Sequence, residues 1–320
     1  MRHFQRCLGA LVLAGLLLLS GCGGEQPCLS DLTCPEVEQE TVPGMPTEPT
    51  ELPEPTREIA PRPEWTEPAC HREVDRYRPA YRMGSCRRLE GTVHVVTFLV
   101  DDINSSWTQE SGLEFLDRCV TPGLAYLESY AAAWGIELEF DEYYFMTDDR
   151  YSMYYPYEFS PELSGATGNY DILDVLARNF GFEERYAMND YFEDYFSTDE
   201  VLYFVALNKE GHSYTIPDSE DDGMEQLEYS AYFTGQTGGA RNGAFVVAHE
   251  TMHNFGAEDY YDPYGIYPNR KALAEQVYPD DLMMRWDEDV NNLYVSDATA
   301  FTVGWLDKVP DAVASADWWS

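Results

Sequence analysis

Beyond its first twenty residues, three stretches of this chain are apolar almost without interruption, and their length and chemistry separate strands from helices. Residues 93–100 and 201–207 are short runs rich in β-branched and aromatic side chains, which predicts two strands buried on both faces of a sheet. His94 falls inside the first and reads as a satisfied core histidine. Residues 136–145 alternate instead, placing Ile136, Leu138 and Phe140 on one face of a half-buried strand. Residues 228–234 read as an edge strand just before a glycine loop at 235–239.

Apolar spacing of three and four predicts the helices. Residues 107–133 form a helical region interrupted at Thr121-Pro122-Gly123, where Pro122 can open a second helix. Leu124, Leu127, Tyr130 and Ala131 then follow in register. After a tyrosine-rich loop, Ile172, Val175, Leu176 and Asn179 predict a helix near 170–186. The third apolar run, 244–248, starts a helix at Asn242 or Gly243 that is buried on most sides. A closing helix ends at Gly304-Trp305-Leu306. The sum is one mixed α/β (α+β) domain over 91–310 with a tail at 311–320, and no internal repeat.

The N-terminal part belongs to a different class. Arg2 and Arg6 precede an apolar run over 8–19, too short for a comfortable membrane span but of signal-peptide length. It closes on Leu19-Ser20-Gly21-Cys22, which resembles a bacterial lipoprotein box. Residues 1–21 are therefore expected to be a signal peptide and Cys22 the lipidated residue, placing the protein at the bacterial cell membrane, facing the extracytoplasmic side. Residues 22–90 continue as a Pro/Glu/Thr-rich tether, stiffened by proline and self-repulsion, then a strap with Arg72, Arg76, Arg78, Arg82, Arg87 and Arg88 that can pair with an acidic body.

Charge and cysteines narrow the partners. A net charge of −38 excludes a nucleic-acid backbone and disfavours anionic lipid, so only a lipid anchor would hold the chain to a membrane. Outside the cytoplasm disulfides are allowed, and Cys28 with Cys34 and Cys70 with Cys86 are the natural local pairs, though other pairings remain open. Cys119 is the odd one. The acidic clusters 218–222 and 287–289 are candidates for Ca²⁺, but neither has a regular calcium-loop pattern.

The chemistry concentrates in His249-Glu250-Thr251-Met252-His253-Asn254-Phe255-Gly256-Ala257-Glu258-Asp259. Histidines four residues apart share one face of a helix, and Glu250 lies about 100° around the axis, near a shared metal but free to act as a base. Gly256 can leave the helix in a left-handed conformation, letting Asp259 return as a third ligand. The motif resembles the metzincin zinc proteases, specifically the aspartate-type, snapalysin-like and immune-inhibitor-A-like secreted enzymes. That resemblance covers roughly residues 91–310. It implies a zincin-like twisted sheet, an active-site helix, one catalytic Zn²⁺ on His249, His253 and Asp259, and a methionine turn at Met283, with Met284 as the alternative. It also implies a C-terminal helix.

The function so implied is an endopeptidase cleaving protein or peptide substrates, with Glu250 as general base and the strand at 228–234 pairing with extended substrate. An aspartate ligand leaves the site at net +1, so zinc would be a weaker Lewis acid than on three histidines. Arg285 stands where some metzincins carry a tyrosine, leaving Tyr260 and Tyr261 as candidate transition-state donors. Glu275 is a rival third ligand. Two other functions fit the residues: a surface binding or adhesion lipoprotein with a structural zinc, and a zinc hydrolase of non-peptide amides. The oligomeric state is not encoded in any of these features.

Overall fold

The computed structural model describes residues 89–146, 153–159, 172–198, 200–216, 227–236, 239–263 and 265–320. Cys22, Cys28, Cys34, Cys70, Cys86, the signal, the tether, the strap up to residue 88 and the acidic run 218–222 lie outside them. Strand β1 (Gly91–Val100) leads to α1 (Gln109–Phe115), a π-helical turn (Leu116–Val120) and α2 (Thr121–Ala133). Then come β2 (Leu138–Met146), α3 (Ile172–Asn179), α4 (Arg185–Phe196), β3 (Val201–Glu210), β4 (Tyr214–Ile216) and β5 (Tyr229–Gly235). The last part contains α5 (Ala244–Asn254), α6 (Pro268–Val277), α7 (Asp297–Thr302) and α8 (Asp311–Ala314).

These strands form one mixed sheet in the order β2-β1-β3-β5-β4. β1 is parallel to β2 and β3, β3 is parallel to β5, and only β4 runs antiparallel. The apolar runs are continuous because both faces are covered. Val93, Val95 and Leu99 of β1 pack with α2, α5 and the C-terminal segment, whereas Val96, Phe98 and Val100 pack with α3 and α4. His94 stacks on Phe196 at 4.3 Å between ring centroids and faces Asp141 across β2.

Three expectations are corrected. The strand at 228–234 is internal, and the edge belongs to β4. Three residues are too few to show a period, so the sequence pattern could not reveal it. The helix expected near 170–186 is two helices, broken at Gly181 with φ +88°, where the amide of Phe182 donates back to the carbonyl of Ala177. The second, α4, buries Met188, Phe192 and Phe196 at four-residue spacing. Residues 311–320, expected as a tail, contain α8 and a buried Trp318, with Tyr260 and Tyr278 edge-on to its ring. The body also starts slightly before residue 91, since the Trp305 indole donates to the carbonyl of buried Leu89.

Candidate metal centre

Helix α5 is apolar around most of its surface because it lies between the sheet, α2 and the C-terminal segment. Gly123 of α2 lets the two helices approach closely, its position lying against Ala244 and Val247. At the far end Gly256 takes φ +88°, and the amides of Gly256 and Ala257 close on the carbonyls of His253 and Met252. This left-handed exit, expected from the sequence, brings Asp259 back over the helix. Glu258 beside it pairs with Arg270, a buried guanidinium that also lies 4.1 Å from the Tyr267 ring centre.

His249 Nδ1 donates to the Leu282 carbonyl at 3.0 Å, and His253 Nδ1 donates to the Ala257 carbonyl at 2.7 Å. A carbonyl accepts only, so both neutral rings carry their proton on Nδ1 and turn a bare Nε2 inward. The two Nε2 atoms stand 3.2 Å apart, and Asp259 Oδ1 lies 3.1 Å from one and 3.4 Å from the other. Three lone-pair-bearing atoms thus face one another while both rings are neutral, and no donor from outside the cluster reaches the buried Asp259 Oδ1 among the described residues. Such a cluster calls for a cation. Tetrahedral ligands about 2.0–2.1 Å from zinc stand about 3.3 Å from each other, so the donor set fits that ion.

In the metal-free protein a proton takes the cation's place. Burial lowers the His253 pKa, but the hydrogen bond and charge of Asp259, with the charge of Glu250, outweigh it and push it up to about 9. Burial likewise opposes the Asp259 carboxylate, yet its two imidazole partners hold its pKa far below the usual range.

Met283 is fully buried in the core. Its carbonyl accepts from the Tyr260 amide at 2.9 Å, so the turn and the Asp259 loop are laced together. Asp281, also fully buried, fixes that turn by accepting from the amides of Met283 (2.6 Å) and Ser296 (2.8 Å) and from the Thr299 hydroxyl. Burial raises its pKa against these donors. The turn is held by Asp281, then, and presents the Leu282 carbonyl to His249. Met284 lines the cleft instead.

That cleft has a volume of about 450 Å³. His249 and Glu250 form part of its wall, with Phe245, Met284 and Trp286 as apolar lining and Gly211 to Ser213 leading into β4. Of the two tyrosines, Tyr260 is buried and hydrogen-bonded through its hydroxyl to Thr299, whereas Tyr261 lines the cleft. Glu275 is exposed on α6 and is not part of the metal-ligating cluster. Arg285 lines the cleft mouth, paired with Asp280 and Asp287. The acids at 287 and 289 accept bonds within their own turn and do not gather as a cation cluster. Cys119 is buried and free.

Sequence reasoning missed Thr215, whose hydroxyl lies 3.0 Å from Glu250 Oε2. Nothing local marks it, since its role comes from strand order. Compared with known proteins, the chain matches no family model and no curated sequence, so its function rests on the geometry of this site.

Proposed function

We propose that the chain is a zinc-dependent endopeptidase of zincin-like design, held outside the cytoplasm by a lipid on Cys22. The observation that carries this reading is the convergence of His249 Nε2, His253 Nε2 and Asp259 Oδ1, with His249 and Glu250 on the wall of an open cleft. Only three such ligands gather among the described residues. A site serving structure alone is closed by a fourth protein ligand and has no use for an adjoining carboxylate. The buried Met283 and the left-handed exit at Gly256 support the metzincin resemblance.

Zinc held by the three ligands would polarise a scissile carbonyl and make water acidic enough to attack at neutral pH. Glu250 accepts the proton of the attacking water and returns it to the leaving amine. The outer edge of β4 offers backbone groups to an extended peptide, a role the sequence had assigned to 228–234. Phe245, Met284 and Trp286 exclude water from one side of the cleft and suit an apolar side chain. The Tyr261 phenol is the candidate donor to the developing oxyanion.

The test is zinc analysis together with peptide-library cleavage on wild type, Glu250→Ala and Asp259→Ala. The expected outcome is zinc in the first two, cleavage by the first alone, and weakened zinc binding in the third. Zinc bound by wild type and Glu250→Ala with cleavage by neither would overturn the enzyme reading.

A further inference from the structure

We propose that Thr215, backed by Ser230 and Asn254, positions the Glu250 carboxylate through a directed chain of hydrogen bonds. The inference rests on the reading of Glu250 as general base. Thr215 and Ser230 are directly opposed residues of β4 and β5, and Asn254 ends α5 one turn beyond Glu250.

The direction follows from which atoms carry protons. Asn254 Nδ2 can only donate, and it gives a hydrogen bond to Ser230 Oγ at 2.8 Å. Ser230 keeps its own proton and has Thr215 Oγ1 at 2.8 Å, against the Glu250 carbonyl at 3.5 Å. Thr215, having accepted, has one proton to give and two acceptors within reach. These are the Glu250 carbonyl at 2.8 Å and Glu250 Oε2 at 3.0 Å. The carbonyl already receives Asn254 Nδ2 at 3.3 Å, and an ionised carboxylate is the stronger acceptor, so the proton points to Oε2.

Ser230, Asn254 and Glu250 are buried, which strengthens each bond of the chain. Tyr214 and Ile216 on either side of Thr215 pack into the opposite core, so strand alternation turns Thr215 toward α5. The strand that offers its outer edge to substrate thereby also fixes one oxygen of the base and leaves the other to the cleft. Thr215 is a positioning residue, acting through Glu250.

Thr215→Val keeps the β-branched shape and removes the hydroxyl; Thr215→Ser keeps the hydroxyl. On zinc-loaded protein, kcat should fall about ten- to a hundredfold in Thr215→Val, with KM and bound zinc unchanged. Thr215→Ser should stay within about threefold of wild type. A crystal structure of Thr215→Val should show the Glu250 carboxylate displaced. Should that variant not fold, Ser230→Ala interrupts the chain one step earlier and is expected to lower kcat severalfold. Wild-type kcat in Thr215→Val, or Thr215→Ser as impaired as Thr215→Val, would overturn the proposal. So would an unmoved Glu250, and this structural result decides the matter even if wild type cleaves no peptide, an outcome that would count against the protease reading instead.

Discussion

The contact between α2 and α5 sets where the candidate metal ligands His249 and His253 stand, and Gly123→Ala tests it. A Cβ at this position would lie 2.7 Å from the Ala244 carbonyl oxygen and 2.8 Å from Val247 Cβ. Carbon atoms pack at about 3.5–4.0 Å, so the helices must separate by roughly 1 Å. Such overpacking costs about 1–3 kcal/mol, while alanine favours the helix over glycine by up to about 1 kcal/mol. Ala244 contributes a backbone atom in the first turn of α5, which cannot swing aside like a side-chain tip, so the clash wins. We expect a net loss of about 1–2 kcal/mol, read as a lower urea midpoint at unchanged slope. The effect on activity should be larger than the effect on stability. His249 and Glu250 follow Val247 on the same helix, yet their partners Leu282 and Thr215 belong to other segments and would not move with it. A misplacement of about 1 Å costs on the order of a hundredfold in rate. An alanine variant as stable and as active as wild type would show that helix propensity outweighs the contact.

Two further outcomes follow from the site. The His253 pKa is raised from 6.5 to about 9 in metal-free protein, so the stability it contributes is fully present below pH 6.5 and is lost as pH rises toward 9. The metal-free melting temperature should therefore fall across that window, with the increment given by added zinc growing over the same range; a zinc increment independent of pH would contradict this. Gly256→Ala forces a side chain into φ +88°, at a cost of about 1–2 kcal/mol, and disturbs the turn carrying Asp259. Chelator competition should show weaker zinc binding, whereas wild-type affinity would mean that the Arg270–Glu258 pair holds the loop unaided.

What the sequence revealed was local. His249, Glu250 and His253 occupy little more than one helical turn, so their spacing already determines their geometry, and Gly256 marked the exit that Asp259 needs. β1 and β3 were legible because burial on both faces leaves a continuous apolar run. The rest depends on partners distant in the chain. Thr215 matters only because β4 lies outside β5, and Asp281 only because Ser296 and Thr299 come back to it. Gly123 resembled a helix breaker and is a close-approach point between helices. The aromatic and acidic residues of α4 concealed the four-residue repeat of Met188, Phe192 and Phe196, and Trp318 lay in what read as a tail.

The buried acids bear on why the centre holds together. Glu250 lines the cleft, Asp259 lies against the two histidines, and Asp281 is fully buried one residue from the carbonyl that orients His249. The donors on Asp281 are amides and a hydroxyl, which stabilise its carboxylate without neutralising it. Gathering carboxylates in a poorly solvated region is unfavourable unless positive charge accompanies them. Arg270 is committed to Glu258, at the outer side of the loop. Two neutral imidazoles and Asp259 around a divalent ion would leave a net +1, which would offset the charge of the neighbouring acids. The cation would then do more than chemistry: His249 is tied to the 281–284 turn, His253 to the Ala257 loop, and Asp259 to both histidines. One bound ion would join three segments that already meet through hydrogen bonds and core packing, so removal of zinc from the loaded protein should loosen the Met283 turn.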